Sequence, residues 1–306
     1  MKVLVTGGAG FIGGYTCQAL AEAGHQVTVL DRRKLPLDWP AAFGDIRDAT
    51  AVTEAAAHAD GVIHLAGVLG TAETIINPYP AAETNVLGGL NVLQACAQYR
   101  LPLVNIAVGN WFENNSYSIT KTTVERFVLM NAVHRGLPQV NVRALNAYGP
   151  RQQAASPHGS SKVRKIMPSF TAAALHGEPI EVYGDGLQIM DMIWAGDVGR
   201  VLTAALEEVA GPRKVPADWI YEAGSGLHTT VLEVAQRVQA EVHRQTGVFT
   251  DIKHLPMRPG ETPGVEVRAD VSTLVPLGID QESFITLEEG IARTVSFGKL
   301  AYGLTR

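Results

Sequence analysis

The chain has 306 residues, 46% hydrophobic and 18% charged, enough for one large globular domain or a domain with a smaller partner around a sizeable core. A net charge of −5 gives no electrostatic footprint for nucleic acid or an anionic membrane. Cys17 and Cys96 stand far apart, with no second cysteine or histidine at ligand spacing, and read as buried free thiols in a reducing compartment.

Met1–Gly13 lacks the long apolar core and cleavage site of a signal peptide, and no run approaches the roughly 18 apolar residues of a membrane span. A cytoplasmic location is expected. Lys2–Thr6 reads as a strand buried on both faces, Tyr15–Ala23 as a helix stopped at Gly24, and Val27–Leu30 as a second strand. The alternation continues with a helix over Ala49–Ala59, a strand over Gly61–Ala66, a helix over Ala81–Tyr99 and a strand over Leu103–Ala107. A long helix is predicted over Ser118–Arg135 and a strand over Gln139–Arg143. Alternating strands and helices argue for an α/β fold, a Rossmann-type doubly wound parallel sheet.

After Pro150 the rhythm changes. Gln152–Ser161 reads as a mobile loop, followed by a helix over Lys165–His176 and short strands at Ile180–Tyr183 and Ile189–Trp194. Then come a helix over Val198–Val209, a strand near Trp219–Ala223, a helix over Val231–Thr246 and a Pro/Gly-rich turn at Arg258–Gly264. The expected division is a dinucleotide-binding domain over residues 1–150 and a smaller C-terminal substrate-binding lobe over 151–306, with segments of the latter returning to complete the sheet.

Gly7-Gly8-Ala9-Gly10-Phe11-Ile12-Gly13 lies between the first strand and the first helix. Gly7 permits the tight turn, Gly10 lets backbone approach a pyrophosphate, and Gly13 lets helix and strand pack closely. The helix N-terminus then offers N–H groups to the phosphates. Asp31 ends the second strand, where a carboxylate binds both ribose hydroxyls and repels a 2′-phosphate, so NAD is favoured over NADP. Arg32 and Arg33 can instead pair with such a phosphate or stack on adenine. Asp45-Ile46 reads either as part of an adenine pocket or as a surface turn.

Tyr117 and Lys121 stand one helical turn apart and share a face. A nearby ammonium and a cationic nicotinamide would favour the phenolate and lower the tyrosine pKa, so that Tyr117 takes a proton from a sugar hydroxyl as hydride leaves the same carbon. On its own the spacing describes an ordinary solvated face. It gains weight from following four strand–helix units that begin with a dinucleotide fingerprint.

With these motifs in place the chain resembles an extended short-chain dehydrogenase/reductase of the nucleotide-sugar epimerase/dehydratase group. Matching segments run nearly end to end: Thr6–Gly13, Asp45-Ile46, His64–Gly67, Asn85-Val86, Asn91–Leu93, Tyr117–Lys121, Arg143, Asn146, Tyr148–Arg151, Gly184–Gly186 with Gln188 and Asp191, Arg258–Glu261 and Ala269-Asp270. The resemblance implies cofactor contacts at Gly7, Gly10, Phe11, Ile12, Gly13, Asp31, Arg32, Asp45, Ile46, Leu65, Ala66, Gly67, Asn85 and Ala107, besides Tyr117 and Lys121. It implies substrate contacts at Asn146, Lys165, Ile166, Val182 and Arg258, the arginine offering a fork of donors to a diphosphate. It also implies a homodimer through the helices at Ala81–Tyr99 and Ser118–Arg135.

The chain departs from this pattern at two places. The family carries Ser or Thr just after the fourth strand; here the stretch Ile106–Trp111 puts Gly109 there, and Asn110 is the preferred substitute because its amide both donates and accepts. Ser116 and Ser118 are the other candidates. The stretch also lacks the Thr-Asp-Glu run of 4,6-dehydratases, which counts against dehydration. Met190 replaces a family arginine, a loss that Lys162, Arg164 and Lys165 could make good. His64, at the end of a strand, reads as a packed core residue, and no residue cluster has metal spacing. The leading expectation is an NAD-dependent nucleotide-sugar 4-epimerase. The alternatives are a 4-ketoreductase, dehydrogenase or dehydratase of the same family, and a catalytically weak NAD-binding sensor or partner protein.

Overall fold

The apolar runs that open the chain become neighbouring strands of one parallel sheet. The computed structural model describes residues 1–34, 38–212, 216 and 218–304. The first half runs β1 (Lys2–Thr6), α1 (Phe11–Glu22), β2 (Gln26–Asp31), β3 (Ala41–Phe43), α2 (Ala49–Ala56), β4 (Gly61–His64), α3 (Thr71–Ile76) and α4 (Tyr79–Ala81). A π-helical stretch (Ala82–Gly88), α5 (Gly89–Tyr99), β5 (Leu103–Val108), α6 (Ser116–Arg135), β6 (Gln139–Ala144) and β7 (Asn146–Tyr148) complete it. The second half contains α7 (Ile166–Leu175), β8 (Ile180–Tyr183), β9 (Ile189–Met190), β10 (Met192–Trp194), α8 (Ala195–Ala210), β11 (Ile220–Ala223), α9 (Val231–Thr246), β12 (Ile252–Leu255), β13 (Glu266–Val267) and α10 (Leu287–Ala301).

The seven-stranded sheet has the order β11-β6-β5-β4-β1-β2-β3, every pair parallel. Strand order reverses between β1 and β4, and Thr6 is in register with both Leu30 and His64. The carboxyl ends of β1, β2 and β4 therefore open side by side, the place where an open α/β sheet leaves a crevice. Apolar side chains cover both sheet faces: Cys17, Leu20, Val201 and Leu202 on one, Val92, Leu93, Cys96 and Val128 on the other. Both cysteines are buried and unpaired, and burial pushes each thiol up to about 12.

The chain returns to the sheet through α8 and β11. The smaller lobe has its own core, where α7, α9 and α10 bring Phe170, Val234, Val238 and Ile291 together. Helix α9 matches its sequence bounds because both signals are present, an apolar stripe and a Thr230–Glu233 capping box. The predicted strand Ile189–Trp194 is instead two strands. It breaks at Asp191, whose buried carboxylate accepts from Ser225 N, Ser225 Oγ, Gly226 N and Ala269 N. Strands β7, β12 and β13 and helices α3 and α10 have no counterpart in the sequence expectation. Among the described residues, no helix is long and apolar enough to cross a membrane.

Candidate active site

The crevice above β1, β2 and β4 continues toward the smaller lobe as one cleft of about 1180 Å³. Its floor is the glycine turn. Gly7 has φ +75, the left-handed region glycine enters without strain. A Cβ on Gly13 would stand 2.4 Å from Gly7 O and 2.7 Å from Gly8 Cα, so α1 can approach β1 only without side chains. No side chain caps α1 at Gly10, which leaves the N–H groups of its first turn to the cleft, beside Phe11 and Ile12. Nearby, the Asp31 carboxylate accepts from Ala9 N at 3.1 Å and Arg33 N at 2.9 Å. The arrangement offers N–H groups to a phosphate and a carboxylate to a ribose, and it fits a dinucleotide.

Nearly every expected cofactor contact lines the cleft: Gly7, Gly10 to Gly13, Asp31, Arg32, Asp45, Ile46, Leu65, Ala66, Gly67 and Ala107. Asp45 also binds Arg47 at 2.7 Å, which holds its carboxyl below the usual range. Asn85 is a correction. It is buried beneath the cleft, where its Oδ1 accepts from Val68 N at 2.7 Å and its Nδ2 donates to Val68 O and Thr120 Oγ1. Two of its hydrogen bonds fix the loop after β4 and the third ties it to α6, so it shapes the wall without forming it.

Tyr117 and Lys121 project from the first turns of α6 into the same cleft. Asn115 starts that helix by accepting from Ser118 N at 2.9 Å. Burial pushes Tyr117 up to about 12 and Lys121 down to about 8, with Glu125 opposing the latter shift. The lowered tyrosine pKa expected from the spacing is therefore not a property of the chain alone. His64 is fully buried, hydrogen-bonded to Thr6 Oγ1 at 2.7 Å and pushed down to about 3 by burial and then by Lys121. It is a neutral core residue, as expected.

Gly109 carries no side chain for a packing reason: a Cβ there would stand 2.9 Å from Leu145 Cγ. Asn110 lines the cleft, and its Nδ2 donates to Glu113 Oε2 at 2.7 Å. The sequence expectation overlooks Glu113, which also lines the cleft. A carboxylic acid thus stands beside Asn110, although the Thr-Asp-Glu run is absent.

On the far side lie Asn146, Lys165, Ile166 and Arg258. Asn146 Nδ2 donates to Asp191 O at 3.2 Å and contacts Met190 Sδ at 3.6 Å, so Met190 occupies its place beside the cleft without supplying a cation. Arg258 pairs with Glu261, packs over the Tyr183 ring at 5.0 Å and keeps a buried Nε without a partner. Lys165 is pushed below its usual range by burial and by Arg258. Arg164 is spent on Glu181 at 2.5 Å and Tyr183 Oη at 2.9 Å. A side pocket of about 410 Å³ continues from Lys165 and Arg258 toward Phe170 and Tyr183. Val182 is the second correction: strand alternation turns it and Ile180 into the lobe's core, and its neighbour Tyr183 faces the cavity. Among the described residues, no group of three or more His, Cys, Asp or Glu could hold a metal.

The sequence profile of the "NAD dependent epimerase/dehydratase family" matches residues 3–220. A UDP-N-acetyl-alpha-D-glucosaminuronate decarboxylase from Bacillus cytotoxicus is 28% identical, over 97% of this chain and 97% of the relative. The UDP-glucose 4-epimerase of Thermus thermophilus, solved in complex with NAD, superposes with a TM-score of 0.82 at 28% identity over 98% of this chain and 99% of the other. The UDP-glucose 4-epimerase of Thermotoga maritima, solved with UDP-glucose, gives 0.84 at 26% identity over the whole of both chains.

Proposed function

The chain belongs to the NAD-dependent epimerase/dehydratase family, and we propose that within it this protein is a nucleotide-sugar 4-epimerase. The observation that carries the reading is that Tyr117 and Lys121 open onto the cleft that begins at the glycine cradle and ends at Asn146 and Arg258. NAD, once bound, supplies the hydride acceptor and donor for a transient oxidation at the sugar's C4. The first turn of α1 holds its pyrophosphate and Asp31 its ribose, with Leu65–Gly67 and Ala107 along its length. Tyr117 accepts the C4 hydroxyl proton and returns it. Lys121 holds the nicotinamide ribose and favours the phenolate. Asn110 hydrogen-bonds the reacting hydroxyl in place of the missing serine or threonine. Asn146, Lys165 and Arg258 hold the diphosphate, Ile166 packs beside it, and the side pocket beyond them receives the nucleoside.

The same reading makes the protein a homodimer through the exposed faces of α5 and α6. It also places the enzyme in the cytoplasm, where two unpaired buried thiols are at home.

The test is proton NMR of the purified protein with UDP-, dTDP- and GDP-sugars in D2O and no added cofactor. An isomeric sugar free of deuterium supports the epimerase. Turnover only on adding oxidised or reduced cofactor moves the reading to a dehydrogenase or ketoreductase. A deoxy product carrying deuterium moves it to a dehydratase, for which Glu113 is the available acid.

A further inference from the structure

The segment between β5 and α6 holds a carboxylate that the reaction above does not use. Glu113 is only 7% exposed, yet it lines the cleft. Its Oε2 accepts from Asn110 Nδ2 at 2.7 Å and from Asn115 Nδ2 at 3.0 Å. Burial pushes the Glu113 carboxyl up, a rise that Asn110, Thr262 and Asn115 oppose. Asn115 caps α6 through Ser118 N, and its Nδ2 also reaches Gly260 O at 3.4 Å. Gly260 and Thr262 belong to the turn that carries Arg258. That turn is pressed against the larger domain: Gly260 has φ +79, and a Cβ on it would stand 2.3 Å from Ile75 Cδ1 and 3.5 Å from Asn115 Cβ. Three polar side chains thus connect the start of the Tyr117 helix, the Asn110 amide and the arginine turn of the other lobe.

We propose that Glu113 is a positioning residue that couples the two sides of the cleft, holding the Arg258 turn ready for a nucleoside diphosphate while fixing Asn110 and the start of α6. The proposal rests on the nucleotide-sugar reading given above. Charge gives it a distinctive sign. A carboxylate lining a cleft that takes a diphosphate repels the ligand, so Coulomb's law alone has its removal tighten binding. Coupling has the reverse effect. Without Glu113 the Asn110 and Asn115 amides lose their acceptor, and the turn must be ordered at the moment of binding.

The experiment is calorimetric titration of the NAD-loaded enzyme with UDP, and with dTDP as a second probe. The proteins are wild type, Glu113→Ala, Glu113→Gln and Asn115→Ser. Serine keeps the helix cap but has no amide donor. Thermal melts and NAD content establish that each variant is folded. Glu113→Ala is expected to weaken UDP binding about tenfold, a change of about 1.4 kcal/mol. Glu113→Gln, which keeps a carbonyl acceptor, recovers most of the loss, and Asn115→Ser falls between. UDP binding as tight as wild type, or tighter, in Glu113→Ala overturns the coupling. So does a Glu113→Gln protein as weak as Glu113→Ala, since the acceptor that glutamine keeps would then not be what holds the turn. If Glu113→Ala does not fold, unchanged binding in Asn115→Ser overturns it equally. A wild-type protein that binds neither UDP nor dTDP, nor GDP titrated in the same way, sinks the nucleotide-sugar reading itself and the coupling with it.

Discussion

Tyr117 and Lys121 sit where burial works against the charged form of each. The tyrosine moves up to about 12 and the lysine down to about 8. Tyr117 therefore keeps its proton near neutral pH until positive charge enters the cleft beside it. Replacing Tyr117 by Phe should cut turnover by about 10²–10⁴-fold while NAD content and melting temperature stay as they were. The NMR assay of isomer formation measures this, and an undiminished rate would remove Tyr117 from its role. His64 gives a prediction about stability. Its folded pKa of about 3 lies below the ordinary 6.5, so the unfolded chain takes up the proton first. His64 leaves stability unchanged above pH 6.5 and lowers it by about 1.4 kcal/mol per pH unit as pH falls from there toward 3. Urea titrations of wild type and His64→Gln across that range test it: the difference between the two slopes should be one proton, and parallel curves would refute the assignment. Residue positions were legible where backbone geometry restricts the residue type, as at Gly7 and Gly13. They were not legible where a side chain's direction depends on partners far along the chain. Asn85 is turned away by Val68 and Thr120, and Glu113 is held by Asn115, whose amide also reaches Gly260, nearly half the sequence away.

Among the elements, α1 is one whose placement depends on missing atoms. The clash that a Cβ at Gly13 would meet is with main chain, at Gly7 O and at Gly8 Cα and O, which cannot rotate away. Gly13→Ala should therefore cost about 1–3 kcal/mol and lower NAD retention, because relieving the clash moves the helix N-terminus off the cradle. Thermal melts and the NAD content of the purified variant measure both, and a variant with wild-type values for each would contradict the close approach. Helix α9 was fully readable, whereas α10 was not, although its start carries a comparable signal: Thr286 Oγ1 accepts from Glu289 N at 3.2 Å. Its apolar face packs on α7 and α9 instead of the sheet, so the strand–helix alternation gives no reason to look for it. Strand β13 is two residues long and has no alternation to read.

At the scale of the whole molecule, the sheet order and the cleft follow from the alternation and the first glycine turn. What a second copy would cover must be argued from the surface. Helix α6 turns Val124, Val128 and Ala132 into the core, yet Ile119, Met130 and Val133 remain on its outer side, Ile119 at 54% exposure and Val133 at 52%. Their spacing of eleven and three residues puts them on one stripe, with Arg126 the charged residue within it. Leu87, just before α5, adds a further exposed apolar side chain at 59%. A helix apolar on both sides is stable in water when its outer stripe meets another surface, and a stripe matched to itself by a two-fold axis satisfies that with one kind of chain. Ile119→Arg would place like charges near each other across such an axis and add to Arg126 on the same stripe. Sedimentation equilibrium should then show a dimer for the wild type and a monomer for Ile119→Arg, with dissociation at least about a hundredfold easier. NAD content should be unchanged, because the substitution lies outside the cleft. A variant that stays dimeric would place the interface elsewhere, and a monomeric wild type would leave the outer face of α6 without a second copy to cover it.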